Sequence, residues 1–268
     1  MRWFWQVMSG QMRMRLAYPW GFWLSLTLEL FVVASINWYL WSAVLASRGG
    51  EDFPGFTLRT LVLYSMITSI LRKVQMNSDQ FGGIGDDIYS GSLNKYLVYP
   101  VSYFGFRYAM HLGGSLISFC QSFLALLLFW VLFALQDMPL PSAASLLQFL
   151  ILVSLGVTIR FLINACLQTL AFWFEQVWAL LVLMNFLIML LGGQLIPMDL
   201  YPAWARDVLF YTPFPMLAAW PAEALLGKMS WLRFIQGCGV GLVWVLVFNL
   251  IARFSFKTGV RDYSGIGA

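Results

Sequence analysis

The sequence predicts an all-α integral membrane protein: six transmembrane helices, an N-terminal interfacial amphipathic helix, and a re-entrant, broken helical segment between spans five and six. Three observations predict it. The chain is 60% hydrophobic and only 10% charged, with a mean hydropathy of +0.76, which is too little charge for the surface of a water-soluble domain. About six runs approach the roughly 20 apolar residues that a bilayer crossing needs. The fifth run is followed by an apolar stretch interrupted by proline, at Pro197, Pro202, Pro213, Pro215 and Pro221. Proline removes a backbone donor and breaks helices, and unsatisfied backbone is costly in hydrocarbon, so residues 195–228 are expected to dip into the membrane shielded by protein.

The elements follow in order. Across residues 1–17, Arg2, Gln6, Ser9 and Arg13 recur at helical spacing while Phe4, Met8 and Met12 fall on another face beside Trp3 and Trp5. That pattern fits an amphipathic helix on the inner leaflet. The spans are expected at Trp20 to Ala46, Phe56 to Met76, Gly105 to Leu135, Leu146 to Thr169, Val177 to Ile196 and Phe234 to Ala252. The second carries Arg59 and the Arg72-Lys73 pair near its ends, where long basic side chains can snorkel to the headgroups. The first run is too long for a cleaved secretory h-region, and further spans follow.

With the N-terminus inside, ten basic residues lie on the cytoplasmic side and five outside, with Arg160 left in a span. The positive-inside rule then places both termini in the cytoplasm, Asp86, Lys95, Glu175 and Arg261 inside, and Asp137 and Asp199 outside. Almost every residue is needed for spans and short connections, so a single transmembrane domain over residues 1–268 is expected. Residues 81–102 form the longer cytoplasmic connection. Glycines open it, and Leu93, Tyr96 and Leu97 alternate with polar Ser92, Asn94 and Lys95 as in a short helix stopped by Pro100. An exposed short helix with apolar knobs calls for a partner.

Several function classes are disfavoured. Cys120, Cys166 and Cys238 fall in separate apolar runs without the spacing of a disulfide framework or zinc site. The net charge of +4 reflects membrane orientation rather than nucleic-acid binding. His111 is the only histidine and has no ligating neighbours in the sequence, which reads as an interfacial or packed residue. The serines before glycine, Ser9, Ser90 and Ser264, lie outside the spans and lack a positioned base, so an enzyme acting on lipid is not supported.

Within the spans, Glu29 and Arg160 lie at similar depth, roughly 16 Å and 14 Å from the inner ends of their helices at 1.5 Å per residue. Intramembrane charges usually face the bundle and pair, so the two are expected to form an internal ion pair, lining the route or clamping the spans. Asn37, Asn164, Asn185 and Gln194 line a cavity or bond across helix contacts; Asn185 and Gln194 stand out because their span leads into the broken segment. The stripe Phe22, Trp23, Trp38, Tyr39 and Trp41 reads as an interfacial belt or as a set of faces for a lipophilic cation.

Three features together resemble the permease subunit of a type-2 ATP-binding-cassette exporter: Ile88, Gly91, Leu93, Leu97 and Pro100-Val101-Ser102; Gly192 to Pro197 at the exit of the fifth span; and the prolines downstream. Ser92 and Tyr99 depart from the pattern, where related sequences often carry an acid and an arginine. The resemblance implies an exporter of two permease chains, identical or related, in the inner membrane. Two separate cytoplasmic ATPase subunits bind ATP and Mg and drive it. Ile88, Gly91, Leu93, Leu97 and Pro100 would couple the ATPase to the spans, while Glu29, Arg160, Asn185 and Gln194 stand as the substrate-path or ion-pair candidates. Consistent with a separate ATPase, none of the four lysines sits in a G-x-x-x-x-G-K-[ST] phosphate loop. The alternative is an autonomous ion-coupled transporter, which would call for more ionisable groups at depth and an internal repeat.

Overall fold

A computed structural model describes residues 2–17, 19–53, 55–76, 83–132 and 140–263, which form eleven α-helices and no strand. In chain order these are α1 (Arg2–Leu16), α2 (Pro19–Ser47), α3 (Leu58–Met76), α4 (Ile84–Tyr89), α5 (Leu93–Leu97) and α6 (Tyr103–Leu132). There follow α7 (Ala143–Gln168), α8 (Trp178–Leu191), α9 (Ala203–Phe210), α10 (Ala219–Leu225) and α11 (Trp231–Asp262). Asp137, the end of the third expected span and the first two residues of 81–102 lie outside the described residues.

Four helical stretches, Trp23–Ser47, Tyr103–Leu128, Ala143–Phe172 and Trp231–Arg261, are long and apolar enough to cross a membrane. The chain is therefore an all-α, multi-pass membrane protein. The other two expected spans take different forms. Helix α8 has 14 residues, about 21 Å at 1.5 Å per residue, and stops at Gly192 short of the ~30 Å hydrocarbon thickness. Helix α3 carries Arg59, Arg72 and Lys73 and falls outside the strongly apolar set, yet it is the centre of the main core: Leu61 through Thr68, Ile70, Leu71 and Val74 are all buried.

Two boundaries start three residues earlier than the apolar runs predict. The Ser142 hydroxyl accepts the Ser145 amide at 3.1 Å and begins α7, and the Ser230 hydroxyl accepts the Arg233 amide at 3.3 Å and begins α11. A capping serine satisfies a donor that the helix itself cannot, so the helix extends beyond its hydrophobic stretch. Helix α11 also runs ten residues past the expected Ala252, because Phe256 and Val260 on its far turns pack into a second core.

Helix α1 lies along α6 rather than standing apart. Its Phe4 ring meets Tyr108 at 6.4 Å, and a side chain at Gly113 would meet the Met8 carbonyl at 2.5 Å, so glycine is needed for the approach. Arg2, Gln6 and Arg13 stay exposed, as the amphipathic pattern requires.

Between α8 and α11 the chain is broken into 3-10 turns at Met198–Leu200 and Pro215–Leu217 together with the short helices α9 and α10. Residues 215–225 are buried throughout. Gly156 of α7 admits this segment, since a Cβ there would lie 2.9 Å from the Met216 carbonyl.

Candidate functional site

Hydrogen bonds between side chains and backbone carbonyls tie the broken segment to the bundle. Tyr64 of α3 donates to the Gly193 carbonyl at 2.6 Å, Gln75 to Leu217 at 2.8 Å, Tyr201 to Leu190 at 2.6 Å and Trp244 to Tyr211 at 2.8 Å. The Ala219 amide bonds the Gly192 carbonyl at 3.0 Å. Irregular backbone is tolerated inside a membrane protein on this condition. At the end of α10, buried Glu223 faces Arg233 at 3.3 Å, and Lys228 donates to the Gly55 carbonyl at 2.6 Å beneath the Phe56 ring.

Where α3, α7 and α8 meet the turn after Gly192, they line a partly open cavity of about 180 Å³. Its polar wall is Arg72 and Gln75 from α3, Arg160 from α7, Asn185 from α8 and Gln194; Phe186, Ile188 and Met189 form the apolar wall. Arg160 is only 3% exposed and donates to the Asn185 side-chain oxygen. Arg160, Asn185 and Gln194, three of the four residues expected as substrate-path or ion-pair candidates, are thus brought together.

Glu29 is not part of that group, and the expected Glu29–Arg160 ion pair is corrected. Glu29 accepts from Lys73 at 2.8 Å and lies 3.7 Å from Arg72. Equal depth along two helices says nothing about which way their side chains face. Helix α2 packs on α3, whose last turns carry the nearer cations, so Lys73 and Arg72 turn to a carboxylate instead of both reaching headgroups. Asn37 bonds the Val33 carbonyl of its own helix at 2.9 Å. His111 is buried with Nε2 3.3 Å from the Val157 carbonyl, so it is a packed residue. In the aromatic stripe Trp41 is buried against Phe53, whereas Trp38 and Tyr39 are exposed; the Phe22 side chain lies outside the described residues.

The α4–α5 connection is a structured platform. Ile88 and Leu93, expected as coupling residues, are buried with Ile84, Tyr103, Ala165 and Ala171 in the second core; Leu93 is fully inaccessible. The reading of Leu93 and Leu97 as one exposed knob is therefore corrected. Gly91 takes φ +71° between α4 and α5, a conformation that favours glycine, and this turn rolls α5 so that Leu93 points inward. The exposed apolar group is Leu97, Val98 and Tyr99, with Val98 84% exposed, just ahead of exposed Pro100.

Sequence reasoning missed what holds this platform. Buried Asp87 pairs with Arg107 and accepts from Tyr103, while Ser92 donates to the same carboxylate at 3.1 Å. Tyr263 donates to the Ile88 carbonyl at 3.2 Å, Tyr89 to Phe174 at 2.9 Å, and Tyr103 stacks on Phe256 at 5.3 Å. These contacts join α4 and α5 to the ends of α6, α7 and α11. The available signal was an Asp86-Asp87 pair with Arg107 at the start of an apolar helix, but sequence spacing does not reveal which acid faces inward.

The family model described as ABC-2 family transporter protein matches residues 31–267, and the chain belongs to that family. It is a membrane permease of an ABC transporter, a class that associates with an ABC ATPase. Comparison with curated proteins found no match.

Proposed function

We propose that the chain is the transmembrane subunit of an exporter that moves its substrate out of the cytoplasm, driven by a dimer of separate ATPase subunits that bind ATP and Mg. It catalyses no reaction itself. In this reading the chain crosses the inner membrane six times, through α2, α3, α6, α7, α11 and α8 together with the turns that flank it, α1 lies at the inner face, and both termini are cytoplasmic. Residues 195–228 return into the bilayer from outside, and a second permease copy, identical or related, completes the pathway.

The observation that carries this reading is the α4–α5 platform. A force applied to it by another subunit passes through the Asp87–Arg107 pair to α6, through Tyr89 to the segment after α7, and through Tyr263 to the end of α11. Leu97, Val98 and Tyr99 supply the apolar contact for an ATPase groove, Ile88 and Leu93 anchor it, and Gly91 and Pro100 set its angle. The cavity of Arg160, Asn185 and Gln194 lies in the substrate pathway. Family membership favours this mechanism over an autonomous ion-coupled carrier.

The test is copurification with its ATPase in mild detergent followed by reconstitution. Export that requires ATP and stops when Leu97, Val98 and Tyr99 are made polar supports the proposal. Transport by the isolated chain in an ion gradient overturns it.

A further inference from the structure

We propose that a groove between α6, α7 and α11 holds an anionic phospholipid, its phosphate at Arg253 and one acyl chain laid along the groove toward the bilayer centre. The groove shares no lining residue with the cavity of Arg160 and Asn185. It opens at the end of the bundle that carries the α4–α5 platform, where Phe104 of α6 meets Phe256 of α11 at 5.0 Å.

Depth sets the mouth of the groove at headgroup level. No charged residue stands between Arg233 and Arg253, and the helical rise over those 20 residues is roughly 30 Å, the thickness of the hydrocarbon. Arg253 is therefore the first charge of α11 beyond the apolar layer at this end, and it is exposed. Asn249 and Val245 line the groove one and two turns deeper. Helix α7 packs closely on α11 but touches α6 little, which leaves a space of about 230 Å³. Thr158 donates to the Ser154 carbonyl at 2.9 Å, so the Tyr108 hydroxyl donates to Thr158 at 2.8 Å and bridges α6 and α7. With those hydroxyls satisfied, Phe161, Leu162 and Val245 leave an apolar bed that suits a hydrocarbon chain. Helix α1 forms one rim, since a side chain at Gly105 would meet the Trp3 ring at 3.1 Å.

The polar groups at the mouth are donors. Arg253 is the one charged side chain that lines the groove. Its Nε donates to Asn249 Oδ1 at 3.0 Å, which fixes the guanidinium and leaves its two terminal nitrogens for a phosphate. The same bond occupies the Asn249 oxygen and leaves its amide nitrogen to donate. Ser102 accepts the Gly105 amide at 3.3 Å and keeps its own hydroxyl proton to give. Charge selects among lipids: the ammonium of a zwitterionic headgroup would bring a second cation beside Arg253, whereas an anionic headgroup brings none. Basic pockets between spans recognise anionic headgroups on this principle.

The test uses the purified full chain in neutral detergent. Native mass spectrometry and thermal unfolding report binding of dioleoylphosphatidylglycerol, dioleoylphosphatidylcholine and water-soluble glycerol 3-phosphate. The anionic lipid is expected to bind at least roughly fivefold more tightly than the zwitterionic one and to raise the unfolding temperature. Arg253→Gln is expected to abolish that preference while keeping the wild-type unfolding temperature without added lipid, because the side chain is exposed. Lys95→Gln removes an equal charge at the same end, outside the groove, and is expected to keep the preference. Equal binding of the two lipids, or a preference that survives Arg253→Gln, overturns the proposal. So does an equal loss in Arg253→Gln and Lys95→Gln, which would mark general surface attraction. Glycerol 3-phosphate binding as tightly as the anionic lipid overturns it as well, in favour of a soluble anion. No ATPase takes part and the exporter reading is not assumed, so either can fail without the other.

Discussion

Gln75 Nε2 donates at 2.8 Å to the Leu217 carbonyl, tying the last turn of α3 to the 3-10 turn within the broken segment. Both residues are buried, and Gln75 also lines the polar cavity. One side chain therefore joins the cavity wall to the segment whose prolines deprive it of regular helical bonding.

Replacing Gln75 by Leu removes that donor and leaves the carbonyl buried. The cost is about 1–3 kcal/mol for an unsatisfied buried acceptor. Chemical denaturation in detergent is expected to show it. Unfolding indistinguishable from wild type would mean that the carbonyl finds another donor.

Energetic coupling at Glu29 should run to Lys73 and not to Arg160. In a double-mutant cycle, Glu29→Gln with Lys73→Met is expected to depart from additivity by about 0.5 kcal/mol or more, whereas Glu29→Gln with Arg160→Gln adds within about that amount. The opposite ranking, measured by thermal or chemical unfolding, would restore the ion pair first expected from depth.

The Asp87–Arg107 pair is enclosed at both ends, with side chains only 8% and 10% exposed. Removing one partner leaves a buried charge without its counter-ion, so Asp87→Asn is expected to cost on the order of 3–5 kcal/mol. Limited proteolysis between α4 and α6 reads this locally: faster cleavage than in wild type is the expected result, and an unchanged rate would show that Tyr103 and Ser92 suffice.

What the sequence made legible was set by one-dimensional signals. Long apolar runs marked four spans, and the prolines marked the broken segment, because hydrophobic length and missing donors are properties of consecutive residues. Arg160, Asn185 and Gln194 were visible as polar residues in apolar surroundings, and they do share a cavity. Partners were not visible. Glu29 turns toward Lys73 because α3 packs on α2, and Leu93 turns inward because Gly91 adopts a positive φ; neither rotation can be read from helical spacing alone. The inner core of Asp87, Arg107 and Tyr103 joins residues whose facing is fixed only when the ends of α6, α7 and α11 converge.

Topology is open to direct labelling. In a background with Cys120, Cys166 and Cys238 changed to Ala, cysteine at exposed Lys95 is expected to resist an impermeant reagent in intact cells, while cysteine at exposed Asp207 of α9 reacts. Labelling of position 95 from outside would invert the orientation and with it the side on which an ATPase could dock.

The α4–α5 platform separates anchoring from docking. Leu93 is fully buried in the second core, so Leu93→Ala is expected to destabilise the protein by about 2–5 kcal/mol and to reduce export through loss of folded protein. Leu97, Val98 and Tyr99 are 43%, 84% and 61% exposed, and changing them to Ser removes apolar surface that no other part of the described chain covers. That triple variant is expected to insert and unfold like wild type, yet to copurify with markedly less ATPase and to lose export. Asn94→Asp, on the exposed polar side of α5, serves as the control and keeps both. Purification yield and unfolding temperature report the anchor, and ATPase retention reports the dock. If the triple variant retains wild-type ATPase association and transport, the exposed group is a solvated surface and coupling runs through another part of the chain.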